Sequence, residues 1–274
     1  MIVAGIDVGS KNIRVVVLED GQVATRVSVT SGFHQEESAR AALEKAAAEV
    51  GLAADDFDYI AATGVGRKAL PFAQHQLTEV TADARAAAAL MPAARTVIDV
   101  GADEARAIRI DEDGRVADFA VNEKCAAGAG AFVEAMSRAL EVGLQTFGEI
   151  SLESTESIPM NAQCTVFAES EVVSLIHSNV SQKDIAKAVH DAMAGRVSAM
   201  VRRAGLQEPV AIGGGVALNA GFVKALRDVL GVGELHVLPQ PEYVGALGAA
   251  LAASEKAAAG APSGDTASGE GRGR

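Results

Sequence analysis

Residues 2–23 read IVAGIDVGSKNIRVVVLEDGQV, which predicts a strand, a tight turn at Gly9, a second strand and a hairpin turn at Asp20 and Gly21. Asp7 stands at the end of the first strand, where the chain enters its glycine turn. Glycine allows the backbone to approach a ligand closely, and the N–H groups of such a turn bind phosphate oxygens. The stretch therefore predicts a phosphate-binding β-hairpin.

Residues 98–116 read IDVGADEARAIRIDEDGRV and repeat the first hairpin, with one residue inserted before the second turn. An aspartate again precedes a glycine turn, and an arginine again stands in the second strand. A repeat of this length predicts two homologous hairpin modules, one in each of two domains. The matching pairs are Asp7 with Asp99, Gly9 with Gly101, Arg14 with Arg106 and Gly21 with Gly114.

Two such hairpins favour a nucleotide bound between the domains. We predict that Asp7 and Asp99 hold Mg²⁺ through water and orient the water that attacks ATP. Residues 213–215 are three glycines after a predicted strand, and they allow the backbone to lie flat against an adenosine. The chain has no G-x-x-x-x-G-K-[ST] motif, and residues 5–9 do not fit G-x-G-x-x-G. Nucleotide contacts are expected at Gly9, Ser10, Lys11, Gly101, Ala102, Gly213, Gly214, Gly215 and Asn219.

The remaining patterns predict an α/β protein of two domains. Helical periodicity covers residues 38–50, 81–91, 181–203 and 243–252, and short strands cover residues 58–63 and 235–238. We assign residues 1–92 to an N-terminal domain and residues 93–242 to a C-terminal domain that carries both cysteines. The closing helix, 243–252, is expected to pack back on the first domain. Residues 255–274 are rich in alanine, glycine and serine without periodicity, which predicts a disordered tail.

The composition narrows the class of protein and its partners. A formal net charge of -12 argues against nucleic acid as a partner, because phosphate backbones are bound by basic patches. We find no signal peptide and no apolar run near the length of a membrane-spanning helix, so we expect a cytoplasmic protein without a membrane partner. The five histidines are scattered without the spacing of metal ligands.

Two cysteines, Cys125 and Cys164, each stand directly before a segment with a helical pattern. The start of a helix exposes unpaired N–H groups and a partial positive charge, which stabilise a thiolate. Two thiolates cannot complete the four-cysteine shell of an iron–sulfur cluster, but two copies of the chain across a two-fold axis can. The alternatives are two inert buried thiols or a structural zinc site with four cysteines in a dimer.

The order of phosphate hairpin, second phosphate hairpin and adenosine glycines resembles the actin, sugar kinase and Hsp70 ATPase superfamily. Residues 124–130, KCAAGAG, and residues 163–171, QCTVFAESE, resemble one of its branches, which holds the activators of 2-hydroxyacyl-CoA dehydratases and the ATPase subunits of benzoyl-CoA reductases. The resemblance covers residues 1–252. It implies two ribonuclease-H-like domains with ATP in the cleft between them. It also implies that Cys125 and Cys164 ligate half of a [4Fe–4S] cluster shared with a second ATPase subunit.

The same resemblance implies a reaction: ATP hydrolysis drives electrons from a ferredoxin into partner subunits that hold an acyl-CoA. Activators of this branch usually carry Gly-Gly-Gln-Asp after the second aspartate, whereas residues 101–104 here are GADE. That departure favours the D-type ATPase subunit of a benzoyl-CoA reductase, paired with a nonidentical ATPase subunit and acting on aromatic acyl-CoAs. Lys11 either supplies a compensating charge or is a solvated surface lysine. The alternatives are a homodimeric dehydratase activator and a cluster-free small-molecule kinase.

Overall fold

Two five-stranded sheets with the same strand order form the framework of the protein. The computed structural model describes residues 1–122, 129–160 and 164–260. The strands of the first sheet are β1 (Ile2–Val8), β2 (Asn12–Glu19), β3 (Gln22–Thr30), β4 (Tyr59–Thr63) and β5 (His75–Gln76), and those of the second are β6 (Thr96–Val100), β7 (Ala105–Ile110), β8 (Val116–Asn122), β9 (Val210–Gly213) and β10 (Leu235–Val237). The first sheet has the order β3-β2-β1-β4-β5 and the second β8-β7-β6-β9-β10.

The repeat seen in the sequence is also a repeat of strand pairing. In each sheet the first three strands form an antiparallel meander, the fourth strand pairs in parallel with the first, and the fifth pairs in parallel with the fourth. Asp7 pairs across the hairpin with Arg14, and Asp99 pairs with Arg106 in the same register. Both predicted hairpins are therefore confirmed, and the aspartate and the arginine occupy the same register in each.

Helices connect and cover the two sheets, and their ends follow local sequence signals. Thr78 accepts a hydrogen bond from the Thr81 N–H at the start of the second helix, and Ser181 accepts one from the Asp184 N–H at the start of the sixth. Gly205, with φ +87°, ends the sixth helix in the left-handed conformation. Within the described residues the helices are α1 (Gln35–Glu49), α2 (Glu79–Leu90), α3 (Gly130–Ala139), α4 (Leu144–Ser151), α5 (Thr165–His177), α6 (Gln182–Ala204), α7 (Ala220–Leu230) and α8 (Val244–Gly260).

Two helices differ from the sequence-based expectations, and the two-residue strand β5 has no counterpart in them. The short helix α4 is not predicted, because it has no side-chain cap at its start and spans only eight residues. The closing helix α8 continues to Gly260, so the prediction of a disordered tail is wrong for residues 255–260. Alanine-rich sequence favours helix, and Arg85 of α2 forms an ion pair with Glu255 in this last part of α8. Residues 261–274 of the predicted tail lie outside the described residues.

The core of the second half is organised around α6. The apolar residues whose helical spacing predicts a helix over residues 181–203 form a stripe that is buried against β7, β8 and neighbouring helices. Burial of such side chains contributes about 1.5–3 kcal/mol each, which anchors the long helix beside the second sheet. The stripe consists of Ile185, Val189, Met193, Val197 and Met200.

Two glycines allow α8 to lie directly against β1 and α2. A Cβ atom on Gly5 of β1 would overlap the backbone of α8 at Ala250, and a Cβ atom on Gly248 of α8 would overlap the backbone carbonyl of Ala82 in α2. The start of α8, at Val244, is thereby held at a fixed distance from the ends of β1 and α2. The domain boundaries proposed from the sequence remain a prediction.

We expect Gly248→Ala to lower the free energy of unfolding by about 1–3 kcal/mol, because the new methyl group meets rigid backbone rather than a movable side chain. Gly195→Ala in α6 is the matched control, since nothing lies within 4 Å of its Cβ position. That variant should gain about 0.5–1 kcal/mol from the better helix propensity of alanine. Urea unfolding of the three proteins measures both effects, and equal stability of the two variants would contradict the close contact.

Candidate functional site

A cavity of about 1050 Å³ lies between the two hairpin turns and is lined by residues of both sheets. It brings together most of the predicted nucleotide site. Gly213 is the exception, because its Cα faces Val244 at the base of the glycine turn rather than the cavity. Cys164 lies outside the lining, and Cys125 falls outside the described residues. The predicted residues that line the cavity are Asp7, Gly9, Ser10, Lys11, Asp99, Gly101, Ala102, Gly214, Gly215 and Asn219.

The internal repeat extends to two glycines that press against the aspartates. Gly64 follows β4 with φ +91°, and Gly214 follows β9 with φ +82°. A Cβ atom on Gly64 would lie 2.6 Å from Asp7 Oδ1, and one on Gly214 would lie 2.7 Å from Asp99 Oδ1. Both positions therefore require glycine for conformation and for space. The sequence contains a signal that Gly64 and Gly214 are equivalent, because each glycine directly follows the fourth strand of its sheet. The motifs used to predict the site do not include this signal.

Asp99 is held by a buried arginine. Arg106 Nη1 donates to Asp99 Oδ2 at 2.7 Å, and its Nη2 donates to Glu104 Oε2 at 2.6 Å. Burial alone would lower the pKa of Arg106, but the surrounding carboxylates, Asp99 first and then Asp83, raise it. The guanidinium is thus permanently charged, and it neutralises Asp99 from within the protein.

A chain of ion pairs joins the first glycine loop to the second hairpin through α2. Arg67 Nη1 donates to the Gly64 carbonyl at 2.8 Å and to Glu79 Oε2 at 3.0 Å. Glu79, the first residue of α2, also approaches Arg106 Nη2 at 3.5 Å. Together these contacts connect the elements that line the two walls of the cavity. The side chains are largely buried, so water screens the ion pairs little.

Asp7 and Asp83 also line the cavity, but among the described residues neither carboxyl group forms an ion pair. Burial raises the pKa of Asp7 to about 6, although Arg14 opposes the shift. Burial and the nearby Asp99 raise the pKa of Asp83 well above its usual range. Asp83 is 2% exposed, and its Oδ2 atom has no hydrogen-bond partner. Sequence reasoning missed Asp83, although one aspartate on the buried alanine face of α2 is a recognisable anomaly.

Asn219 is fixed in place by hydrogen bonds on both sides of its amide. Its Oδ1 accepts from the Phe222 N–H at 3.0 Å, which caps α7, and its Nδ2 lies 3.0 Å from His190 Nε2. The His190 ring is buried against Phe147. Gly148 leaves the space for the amide, because a Cβ atom there would lie 2.5 Å from Asn219 Oδ1. The amide therefore shapes the floor of the cavity and is not free to turn toward a ligand.

Basic side chains approach the cavity from the first hairpin. Lys11, in the first turn, forms an ion pair with Glu134 of α3, so its charge is already partly balanced. Arg14 lies on the cavity wall near Gly215, and its Nε atom is buried without a hydrogen-bond partner. Arg14 is therefore better placed than Lys11 to supply an unpaired positive charge to a bound phosphate.

Cys164 is the N-cap residue of α5, and it is a half-buried free thiol. The first turn of this helix is apolar and exposed: Val166 is 68% and Phe167 is 70% accessible to solvent. Val173 and Ile176 continue the exposed apolar surface along the helix. Large exposed hydrophobic groups beside a potential ligand are typical of a surface covered by another subunit.

Comparison with known proteins identifies the family. Residues 4–253 match the BadF/BadG/BcrA/BcrD ATPase family. The chain belongs to this family. The activator of lactoyl-CoA dehydratase from Anaerotignum propionicum is 42% identical over 257 residues, covering 94% of this chain and 99% of the relative. The structure of the activator of 2-hydroxyisocaproyl-CoA dehydratase from Clostridium difficile, with bound ADPNP, superposes with a TM-score of 0.89 at 36% identity, covering 94% of this chain and 96% of that one.

These matches confirm the predicted family and fold class, and they revise the order of the two predicted functions. The D-type benzoyl-CoA reductase protein from Thauera aromatica is 33% identical, covering 91% of this chain and 92% of that protein. It is thus less similar to this ATPase than the dehydratase activators are. The alternative of a dehydratase activator is better supported than the reductase assignment. Among the described residues no helix is both long and apolar enough to cross a membrane.

We expect His190 to make folding sensitive to mild acid. Burial lowers its pKa to about 4, whereas an unfolded histidine titrates near 6.5. The unfolded chain therefore binds more protons between these values, and the contribution of the neutral ring to stability falls by about 3 kcal/mol as the pH drops from 6.5 to 4. Urea unfolding across this pH range should show that His190→Gln removes this part of the dependence.

His34→Gln serves as the control, because His34 is exposed. It should leave the pH dependence of unfolding as in the unaltered protein. An unchanged pH dependence in His190→Gln would show that His190 is not buried in its neutral form.

Proposed function

We propose that this ATPase is a homodimeric activator of a 2-hydroxyacyl-CoA dehydratase, which uses ATP hydrolysis to pass a low-potential electron to its partner enzyme. Similarity over nearly the whole length to activators of that class supports the assignment. One structural observation supports a link between ATP and the cysteines: the turn at Gly101 is hydrogen-bonded to the helix that follows the first cysteine. A ferredoxin is the proposed electron donor.

The cavity is the proposed site of ATP. The turns at Gly9 and Gly101 line this cavity and are assigned here to the β- and γ-phosphates, and the turn at Gly214 and Gly215, which also lines it, is assigned to the adenosine. The cation that accompanies ATP fits this cavity, because hard carboxylate oxygens are the ligands that Mg²⁺ prefers. Within the described residues no three acidic or histidine side chains converge closely enough to enclose an ion. Water and phosphate oxygens would therefore complete its coordination.

The cysteines are the proposed ligands of a [4Fe–4S] cluster shared by two copies of the chain. The position of Cys164 fits, because the N-terminus of α5 presents unpaired N–H groups and a partial positive charge, which favour an anionic group bound there. Cys125, which lies outside the described residues, would supply the second thiolate of each chain. Such a cluster supplies one-electron transfer at low potential. The exposed apolar start of α5 would be covered by the same surface of the second copy, as two-fold symmetry requires.

The departure at residues 101–104 requires no nonidentical partner. Glu104 binds the Arg106 guanidinium at 2.6 Å, so the altered residue has a role within its own chain. Ala102 contributes its carbonyl to α3, a contact that any side chain permits. The sequence change at residues 101–104 is therefore compatible with a homodimer.

Coupling between ATP and the cysteines is proposed to run through α3. The N–H groups of Gly130 and Ala131 donate to the carbonyls of Gly101 and Ala102 at 2.9 and 2.8 Å. Gly130 follows Cys125 by only five positions in the sequence. A shift of the second phosphate turn on hydrolysis would displace the start of α3 through these two hydrogen bonds. Lys11 and Glu134 tie the first turn to the same helix.

Anaerobic purification tests the proposed activity. We expect a brown homodimer that contains iron and that, with ATP and reduced ferredoxin, activates a 2-hydroxyacyl-CoA dehydratase. An iron-free, colourless protein that phosphorylates a small molecule would establish the kinase alternative. Tight binding of zinc in place of iron would establish the structural zinc site. Iron loading only after co-expression with a different ATPase subunit would establish the reductase alternative.

We expect Cys164→Ser to abolish iron binding, because it removes two of the four thiolates in a symmetric dimer. Iron analysis and the visible spectrum of anaerobically purified protein measure the loss. Ser174→Ala, on the same helix, is the control and should retain iron. ATP binding should persist in both variants, since neither residue lines the cavity. Full iron loading of Cys164→Ser would exclude this residue as a ligand.

A further inference from the structure

We propose that Asp83, rather than Asp99, is the carboxylate that works with Asp7 to position the divalent cation of the bound nucleotide. This inference rests on the proposed binding of ATP in the cavity. It assigns a positioning role to a residue of α2, outside the two repeated hairpins.

Asp99 is already occupied by Arg106. Its Oδ2 atom accepts a hydrogen bond from the guanidinium at 2.7 Å, so this oxygen already has a charged partner within the chain. The guanidinium carries the same sign of charge as the cation and lies against the carboxylate. A cation at Asp99 would therefore meet a neutralised group and a repelling neighbour. The internal repeat makes Asp99 look equivalent to Asp7, but their partners differ.

Asp7 and Asp83 have no such partner. Among the described residues neither forms an ion pair or a side-chain hydrogen bond, although Arg14 stands opposite Asp7 in the sheet. Asp83 is buried, and an unpaired buried carboxyl group is costly unless a ligand satisfies it. Both side chains line the cavity. Among the described residues, Asp7 and Asp83 thus have no hydrogen-bond or ion-pair partner where the phosphates of a nucleotide would bring a cation, although Arg14 and Arg106 act on them from a longer distance.

The two carboxyl groups face one point at the start of α8. A Cβ atom on Gly245 would lie 3.2 Å from Asp7 Oδ2 and 3.6 Å from Asp83 Oδ1. Gly245 therefore keeps open a space that is flanked by one oxygen of each aspartate. β1 fixes one side of this space, α2 fixes the other, and the glycine contacts of α8 hold the two elements in place. Because no three ligating side chains converge within the described residues, a cation in this space would be held through its water shell.

Binding of Mn²⁺, followed by electron paramagnetic resonance in the presence of ADP, tests the proposal without any need for the cluster or the dehydratase. We expect Asp83→Asn and Asp7→Asn each to weaken Mn²⁺ binding by about 10- to 100-fold, the range typical of groups that act on a metal through an intermediate ligand. Asp99→Asn should weaken it less than either. Asp55→Asn, at a side chain that is 96% exposed, should leave it unchanged.

Thermal unfolding separates this role from a structural one. Asp83→Asn should not lower the melting temperature, because the amide replaces an unpaired buried carboxyl group of the same shape. A lowered melting temperature with unchanged Mn²⁺ affinity would overturn the proposal, as would an Asp99→Asn variant that loses more Mn²⁺ affinity than Asp83→Asn. If the unaltered protein bound neither ADP nor Mn²⁺·ADP, the proposed function itself would fail, which is a distinguishable result.

Discussion

The buried guanidinium of Arg106 is the interaction on which the rest of the cleft depends. It holds Asp99 and Glu104 of its own hairpin and reaches Glu79 at the start of α2. Removal of one partner from such a buried pair costs about 3–5 kcal/mol, because the remaining charge is left uncompensated. Through Glu79 and Arg67 the same network extends to the glycine loop that covers Asp7. The two walls of the nucleotide cavity are thus connected by ion pairs as well as by the polypeptide backbone.

Duplication of one structural unit explains why the two sides of the cleft have the same backbone arrangement. The two copies differ in the side-chain contacts of their aspartates. Each sheet supplies a hairpin turn, an aspartate and a positive-φ glycine against that aspartate. The copies have diverged in what the aspartate contacts: Arg106 donates a hydrogen bond to Asp99, whereas among the described residues Arg14 acts on Asp7 only through its charge. The proposed division of labour follows from this difference. In the second half of the chain Arg106 pairs with Asp99, and this half also contains the helix next to the first cysteine. In the first half Asp7 is proposed to act on the cation of the bound nucleotide.

Much of the fold could be predicted from the sequence because its signals are local. The aspartate–glycine hairpins, the stripe of α6 and the cysteine motifs depend on residues close together in the chain, and the structure has both hairpins and the stripe where they were expected. Asp83 could not be assigned, because its place in the cleft depends on the packing of α2 against α8 by way of Gly248. The engagement of Asn219 by His190 likewise joins residues that are distant in sequence. The preference for a reductase subunit depends on the sequence change at residues 101–104, but Glu104 binds Arg106 within its own chain, so this change does not require a different ATPase partner.

The most direct measurement of the central claim is the rate of phosphate release from ATP by the anaerobically purified protein and by its Asp7→Ala variant. We expect hydrolysis that requires a divalent cation and that falls by about 100-fold or more in the variant, the scale of loss seen when one group that stabilises a transition state is removed. Iron content should be equal in the two proteins, since Asp7 belongs to the cleft and not to the cysteine helices. Hydrolysis at the full rate by Asp7→Ala would contradict the assignment of the cleft as the site of ATP hydrolysis.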